Sequence, residues 1–159
     1  MGRYDDYLRW LYRDGRPNWL AKLQNRFSAI AFSAGVMPSR VGTLVVRGRR
    51  SRHPVSFPIV IATFEGRRYL VSMLGAGANW VRNVEADGGR AELHHGRRER
   101  IRLVEIDTAA RPPILRRYLD LAPGARPHIP VDRSAPLEDF ERIAAEFPVF
   151  RIEPRAEAA

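Results

Sequence analysis

Residues 41–80 read VGTLVVRGRRSRHPVSFPIVIATFEGRRYLVSMLGAGANW, and this stretch decides the fold. Leu44, Val45 and Val46 lie in a run from Gly42 to Arg47 that reads as a strand. Gly48 to His53 holds a glycine, a serine and three arginines and reads as a turn. Val55 to Phe64 is a second strand, rich in Val, Ile and Phe and interrupted by Pro58. A proline there has no N–H for the ladder and implies an edge or a bulge. Glu65-Gly66-Arg67-Arg68 is a hairpin turn, and Tyr69 to Leu74 is a third strand. Small residues, Gly75 to Ala78, then lead toward Asn79 and Trp80.

Downstream, the same alternation continues. Asn79 to Ala86 reads as a short helix ended by Gly88-Gly89. Arg90 to His95 and Glu99 to Ile106 are a fourth and a fifth strand around a Gly96-Arg97-Arg98 turn. Pro112-Pro113 opens a helix with Ile114, Leu115, Tyr118 and Leu119 on one face. Residues 122 to 136 form a proline-rich loop. Leu137, Phe140, Ile143 and Ala144 mark a last helix with Ser134 as its expected cap, and Pro148 to Glu153 is a sixth strand. Hairpins dominate, which predicts an α+β fold: a largely antiparallel, six-stranded barrel with peripheral helices. The expected organisation is a helical segment over residues 1–40, the barrel domain over 41–154 and a tail over 155–159. In the first segment, Trp19, Leu20, Leu23, Phe27, Ile30 and Ala31 follow a helical period behind Asn18. Tryptophan and basic residues flank this apolar face, which raises a peripheral membrane contact beside ordinary packing on the core.

The 159 residues are 45% hydrophobic and 28% charged, within the range of one globular domain and against a wholly disordered chain. There is no cysteine, which excludes a disulfide framework and a cysteine nucleophile or metal ligand. Neighbouring strand residues point to opposite faces, so His94 and His95 do not chelate together, and no metal site is expected. No serine sits in a Gly-x-Ser-x-Gly elbow. MGRYDDYLRW lacks the apolar run of a signal peptide, so a cytoplasmic protein is expected, with membrane association left open through the N-terminal helix. The net charge is +9, and of 27 basic residues only Lys22 is lysine. Such a charge favours anionic partners. The arginines are spread over many elements, however, with no groove-reading helix or stacking motif, so a nucleic-acid partner is not expected.

Two loops stand out. Gly48-Arg49-Arg50-Ser51-Arg52 is a compact cationic turn with a hydroxyl and backbone amides, suited to a phosphate. Ser72-Met73-Leu74-Gly75-Ala76-Gly77-Ala78 runs from a strand end into a helix start. Its small residues let a planar ring or an anion approach the backbone.

With these motifs in this order, the chain resembles the deazaflavin-dependent nitroreductase family, the A branch of the flavin/deazaflavin oxidoreductases. The likeness covers about residues 40 to 106. It rests on the Gly48-Arg49-Arg50-Ser51 turn with the following Pro54 and Pro58, on the Ser72 to Ala78 loop, and on the Trp80-x-x-Asn83 helix start with Ala86. The resemblance implies a split β-barrel, a homodimer, and coenzyme F-420, a deazaflavin with a phosphodiester and a glutamate tail. It implies that Arg49, Arg50 and Ser51 grip the phosphate and tail. It sets Ser72, Met73, Leu74, Gly75, Ala76 and Gly77 against the ring, with Trp80 and Asn83 behind the pocket. Arg52 stands where the family turn has glycine, Val55 where it often has arginine, and Met73 where it commonly has lysine. Two cationic contacts are thereby missing. Arg52 or Arg47 is the expected substitute, and FMN is the alternative cofactor. The expected activity is hydride transfer to a small electron-poor acceptor such as a quinone or enone, with Ser72 polarising and Tyr118 or solvent supplying a proton. A split-barrel carrier of a cofactor or anionic lipid is the other reading.

Overall fold

The computed structural model describes residues 40–155. The helical segment expected over residues 1–40 lies outside them, apart from Arg40, and so does the tail beyond Arg155. Seven strands form one sheet. They are β1 (Val41–Arg47), β2 (Pro54–Val60), β3 (Ala62–Phe64), β4 (Arg67–Val71), β5 (Arg90–His94), β6 (Arg98–Glu105) and β7 (Val149–Pro154). The helices are α1 (Asn79–Ala86), α2 (Pro112–Leu121) and α3 (Leu137–Ile143). All strand pairs are antiparallel, in the order β2-β1-β5-β6-β7-β4-β3. The result is a curled half-barrel of the split-barrel type, α+β in class.

The stretch read as one strand from Val55 to Phe64 is two. Ile61 separates β2 from β3, and its N–H donates to the Arg40 carbonyl at 2.6 Å instead of to a ladder. The two halves stand at opposite ends of the strand order, so this single bent segment curls the sheet back upon itself. Seven strands therefore replace the six expected, because closure of the barrel shifts register within one continuous apolar run. Pro58 does lie on an edge strand, opposite Thr43, and Pro54 lies opposite Arg47 on the same pleat. With two nitrogens that carry no hydrogen, that free edge is a poor template for pairing.

Apolar side chains fill both sides of the curl. Inside, Leu44, Val46, Leu70, Leu93, Ile101 and Phe150 pack with Trp80, Val81 and Val84 of α1. Outside, Tyr69, Val71 and Val149 pack under Leu115, Tyr118 and Leu119 of α2 and Phe140 of α3. In β4 and β7, successive residues thus enter different cores: Leu70 inward and Val71 outward, Phe150 inward and Val149 outward. That is why these strands read as continuous apolar runs.

Gly89 marks the return from α1 to β5. It has φ +84°, and a Cβ there would stand 2.6 Å from the Leu103 carbonyl oxygen, which accepts no such intrusion. α2 begins with Pro112-Pro113, as its sequence predicts. α3 is not capped by Ser134. Pro136 occupies that place without a side-chain bond, and Ser134 instead donates from its backbone N–H to Asp132 Oδ1 at 2.8 Å. A second, short bond from the Ser134 hydroxyl joins the same oxygen. Together they hold the Asp132 carboxyl below the usual carboxylate range.

Among the described residues, Arg111 is the buried charge, 5% exposed. Its Nε donates to the Ile106 carbonyl at 3.1 Å, one terminal nitrogen to the Ala144 carbonyl at 3.0 Å, and the other to Glu105 Oε2 at 2.8 Å. One guanidinium thus ties the end of β6, the start of α2 and the turn after α3 together.

Candidate functional site

The basic turn closes on itself. Gly48 N–H donates to the His53 carbonyl at 2.8 Å, Arg52 N–H to the Gly48 carbonyl at 2.9 Å, and His53 N–H to the Ser51 hydroxyl at 3.2 Å. This tight closure forces Arg52 to φ +64°, a conformation that glycine enters freely and arginine enters at a cost of about 1 kcal/mol.

The second loop is also a turn, not the end of a strand: β4 stops at Val71. Ser72 is 1% exposed, and its hydroxyl donates to the Gly75 carbonyl at 2.6 Å, while Gly75 N–H donates back to the Ser72 carbonyl at 3.2 Å. Gly75 has φ +93°, which this reversal requires. Among the described residues, the N–H groups of Ala76 and Gly77 meet no acceptor. Met73 is half-buried and packs toward the α2 side.

Arg49 joins the two loops. Its backbone N–H donates to Asn83 Oδ1 at 3.1 Å, its guanidinium to the same oxygen at 2.9 Å and to Asn79 Oδ1 at 3.3 Å. Both partners are neutral amides on α1, so the charge of Arg49 is oriented but not cancelled. α1 adds to the positive field, since it has no acidic residue in its first turn and no side-chain cap. Arg50 and Arg52 are exposed and, among the described residues, meet no carboxylate. Behind the junction, Trp80 is 4% exposed and packs between Phe57 and Phe150, with ring centroids 6.2 Å and 5.5 Å away. Asn83 is 7% exposed, so its amide is fixed by packing as well as by Arg49.

The structure therefore brings Arg49, Asn83 and the start of α1 together, with Gly75 to Gly77 leading into that helix. Sequence reasoning missed Asn79, whose signal was an amide at the head of the helix, and the amides of Ala76 and Gly77, unpaired among the described residues. Tyr118 is 4% exposed in the core under α2, the cluster against which Met73 packs, and burial pushes its phenol well above its ordinary pKa. An open groove of about 500 Å³ lined by Gly66, Arg67, Arg68, Arg151, Ile152, Glu153 and Pro154 shares no residue with these loops. Its Arg68 pairs with Glu99 and its Arg151 with Glu153, each at 2.6 Å. Among the described residues, no group of three or more His, Cys, Asp or Glu is placed to hold a metal.

No protein-family model matches the chain, and no curated protein matches it either. Solved structures do. Protein Atu2129 of Agrobacterium tumefaciens str. C58, of unknown function, superposes with a TM-score of 0.52 at 16% identity, over 74% of this chain and 49% of that one. The chain thus spans about half the length of that protein. A domain-swapped dimer matches with a TM-score of 0.50 at 14% identity, over 85% of this chain and 97% of that one. An F420-H2 dependent reductase (FDR-A) matches with a TM-score of 0.49 at 14% identity, over 72% of this chain and 94% of that one. At such identities the likeness establishes the split-barrel fold and leaves the activity open.

Proposed function

We propose that the chain binds a deazaflavin of the F-420 type and serves as a reductase of a small electron-poor acceptor. The observation that carries the reading is the position of Arg49: a cation held by two neutral amides at an uncapped helix start, beside a small-residue turn with unpaired N–H groups. The donor set fits such a group. Arg49, Arg50, Ser51 and Arg52 offer forked donors and a hydroxyl to a phosphodiester and an anionic tail. Gly75, Ala76 and Gly77 offer a backbone that a flat ring can approach. When bound, the deazaflavin supplies hydride chemistry, and the protein supplies binding, orientation and electrostatics.

The protein's own residues divide that work. Asn83 and Asn79 aim Arg49, and Trp80 packs behind them between Phe57 and Phe150. The N–H groups of Ala76 and Gly77 polarise a carbonyl laid against the turn. Ser72 shapes that turn, because its hydroxyl proton is already donated to Gly75. Solvent supplies the proton that completes the reduction, since burial keeps the phenol of Tyr118 a weak acid.

A second reading, a split-barrel carrier that binds without turnover, draws on Met73 and Val55, which put apolar groups where the resembled family has cations. The double variant Arg49→Ala/Arg50→Ala separates the phosphate assignment from mere fold likeness. Deazaflavin affinity is expected to fall at least about thirtyfold, from the loss of two charge-assisted contacts. Unchanged affinity would refute the assignment.

A further inference from the structure

We infer that the outward apolar face of β1 is a docking surface for a segment of this same chain, residues 19–31, independent of the cofactor site. β1 alternates. Gly42, Leu44 and Val46 are buried, while Val41, Thr43 and Val45 between them are half-buried on the opposite face. The register extends this face onto β2, where Val60 stands opposite Val41, Pro58 opposite Thr43 and Ser56 opposite Val45. Val60 packs against the outer core, but among the described residues Val41 and Val45 join neither core. α1 meets β1 from the inside, and α2 lies over β3 and β4 with α3 beside it. Two valines, a proline and a threonine methyl thus form an apolar strip that no helix among the described residues covers.

The chain ahead of β1 selects the occupant. Arg40 immediately precedes Val41, and its carbonyl accepts the Ile61 N–H at 2.6 Å. Residues 1–39 therefore join the sheet at the corner where the strip begins. Within them, Trp19, Leu20, Leu23, Phe27, Ile30 and Ala31 fall on one face of a helical period. A helix of that run would be about 20 Å long, and the seven residues of β1 extend about 23 Å. Residues 32–39 reach at most about 28 Å, enough to reverse direction and lay the run back over the strand. Gly35 and Pro38 in that link stop the helical period. A tether this short holds the run beside the strip at an effective concentration of about a millimolar, which a separate partner does not match.

Charge at the rim is compatible with this occupant. Glu92 of β5 lies opposite Val45, with Arg98 3.3 Å from its carboxylate. Residues 17–39 contain no acid, and Lys22 and Arg26, four apart, border the apolar face of the run. One apolar face does not lie on the sheet and in a bilayer at once. Docking on β1 therefore takes the place of a membrane contact by the same residues.

The sequence supplies its own probes, since the chain has no cysteine and Lys22 is its one lysine. Ser56→Cys places a single thiol on the exposed rim of the strip, and Arg142→Cys places one on the exposed side of α3. Each full-length variant is treated with a short amine-to-thiol crosslinker, and the link to Lys22 is followed by mass spectrometry. The link is expected to form at least about tenfold faster from Ser56→Cys than from Arg142→Cys. Adding Leu23→Asp/Phe27→Asp to Ser56→Cys is expected to remove that advantage. Wild-type protein is expected to stay in the supernatant when phosphatidylcholine vesicles with about one-third phosphatidylglycerol are sedimented. Equal rates from the two thiols, an advantage that Leu23→Asp/Phe27→Asp leaves intact, or co-sedimentation with the vesicles would each overturn the proposal.

Discussion

One oxygen of Asn83 receives both the backbone N–H and the guanidinium of Arg49, at 3.1 Å and 2.9 Å, and so docks the basic turn onto α1. Because the acceptor is a neutral amide, Arg49 is fixed in place with its charge intact. Asn83→Asp tests what that neutrality is for. It keeps an oxygen acceptor beside Arg49, while the new carboxylate, buried like the amide it replaces, cancels the cation. Deazaflavin affinity is expected to fall at least about tenfold, read by fluorescence titration on protein shown to be folded by its cooperative thermal transition. Asn83→Ala, by contrast, releases the turn and costs about 2 kcal/mol of stability as well as affinity.

Arg52 holds a left-handed conformation, φ +64°, which glycine adopts without strain. Arg52→Gly is expected to raise folding stability by about 1 kcal/mol, read as a later urea midpoint with an unchanged slope. The same change removes a guanidinium from the anion site, so deazaflavin affinity falls as stability rises. Parallel gains in both would show that Arg52 does not touch the ligand.

Arg111 anchors three elements through its guanidinium, and no substitute side chain reaches both the Ile106 and Ala144 carbonyls. Arg111→Ala is expected to destabilise the fold by about 3 kcal/mol, with the buried Ala144 carbonyl left without its donor. Chemical denaturation measures this directly. A loss below about 0.5 kcal/mol, the ordinary effect of a surface change, would contradict the anchoring role.

The hairpins were legible in the sequence because their signals are local. Glu65-Gly66 and Gly96-Arg97 announce their own turns, and Pro112-Pro113 announces a helix start. The break at Ile61 was not, because the run from Val55 to Phe64 is apolar throughout and its division is imposed by closure with strands remote in sequence. Ser134 failed as a cap for a related reason: Asp132, two residues earlier, offers its hydroxyl and its N–H a nearer acceptor. In the candidate site, the two loops were visible separately. Their meeting through Arg49, Asn79 and Asn83 depends on residues about thirty positions apart, which only the fold supplies. Arg111 carries no local signal, because its partners, the Ile106 and Ala144 carbonyls and Glu105, are gathered only by the fold.

Tyr118 gives a pH dependence. Burial raises its folded pKa above that of the unfolded chain, so its contribution to stability is complete below the unfolded value of about 10 and is lost as pH rises beyond it. The thermal midpoint is expected to fall above about pH 10, and less so in Tyr118→Phe. Tyrosinate absorbance should show Tyr118 ionising only as the protein unfolds. Ionisation of every tyrosine in the intact fold at ordinary pH would contradict the burial.

A deazaflavin is proposed to sit at the junction of the basic turn and the small-residue loop. Titration of the full chain with coenzyme F-420 and, in parallel, FMN tests it most directly, followed by quenching of ligand fluorescence. Deazaflavin is expected to bind with a Kd of about 1 μM or tighter, and FMN at least about tenfold more weakly. FMN binding equal to or tighter than deazaflavin, or binding of neither, would contradict it.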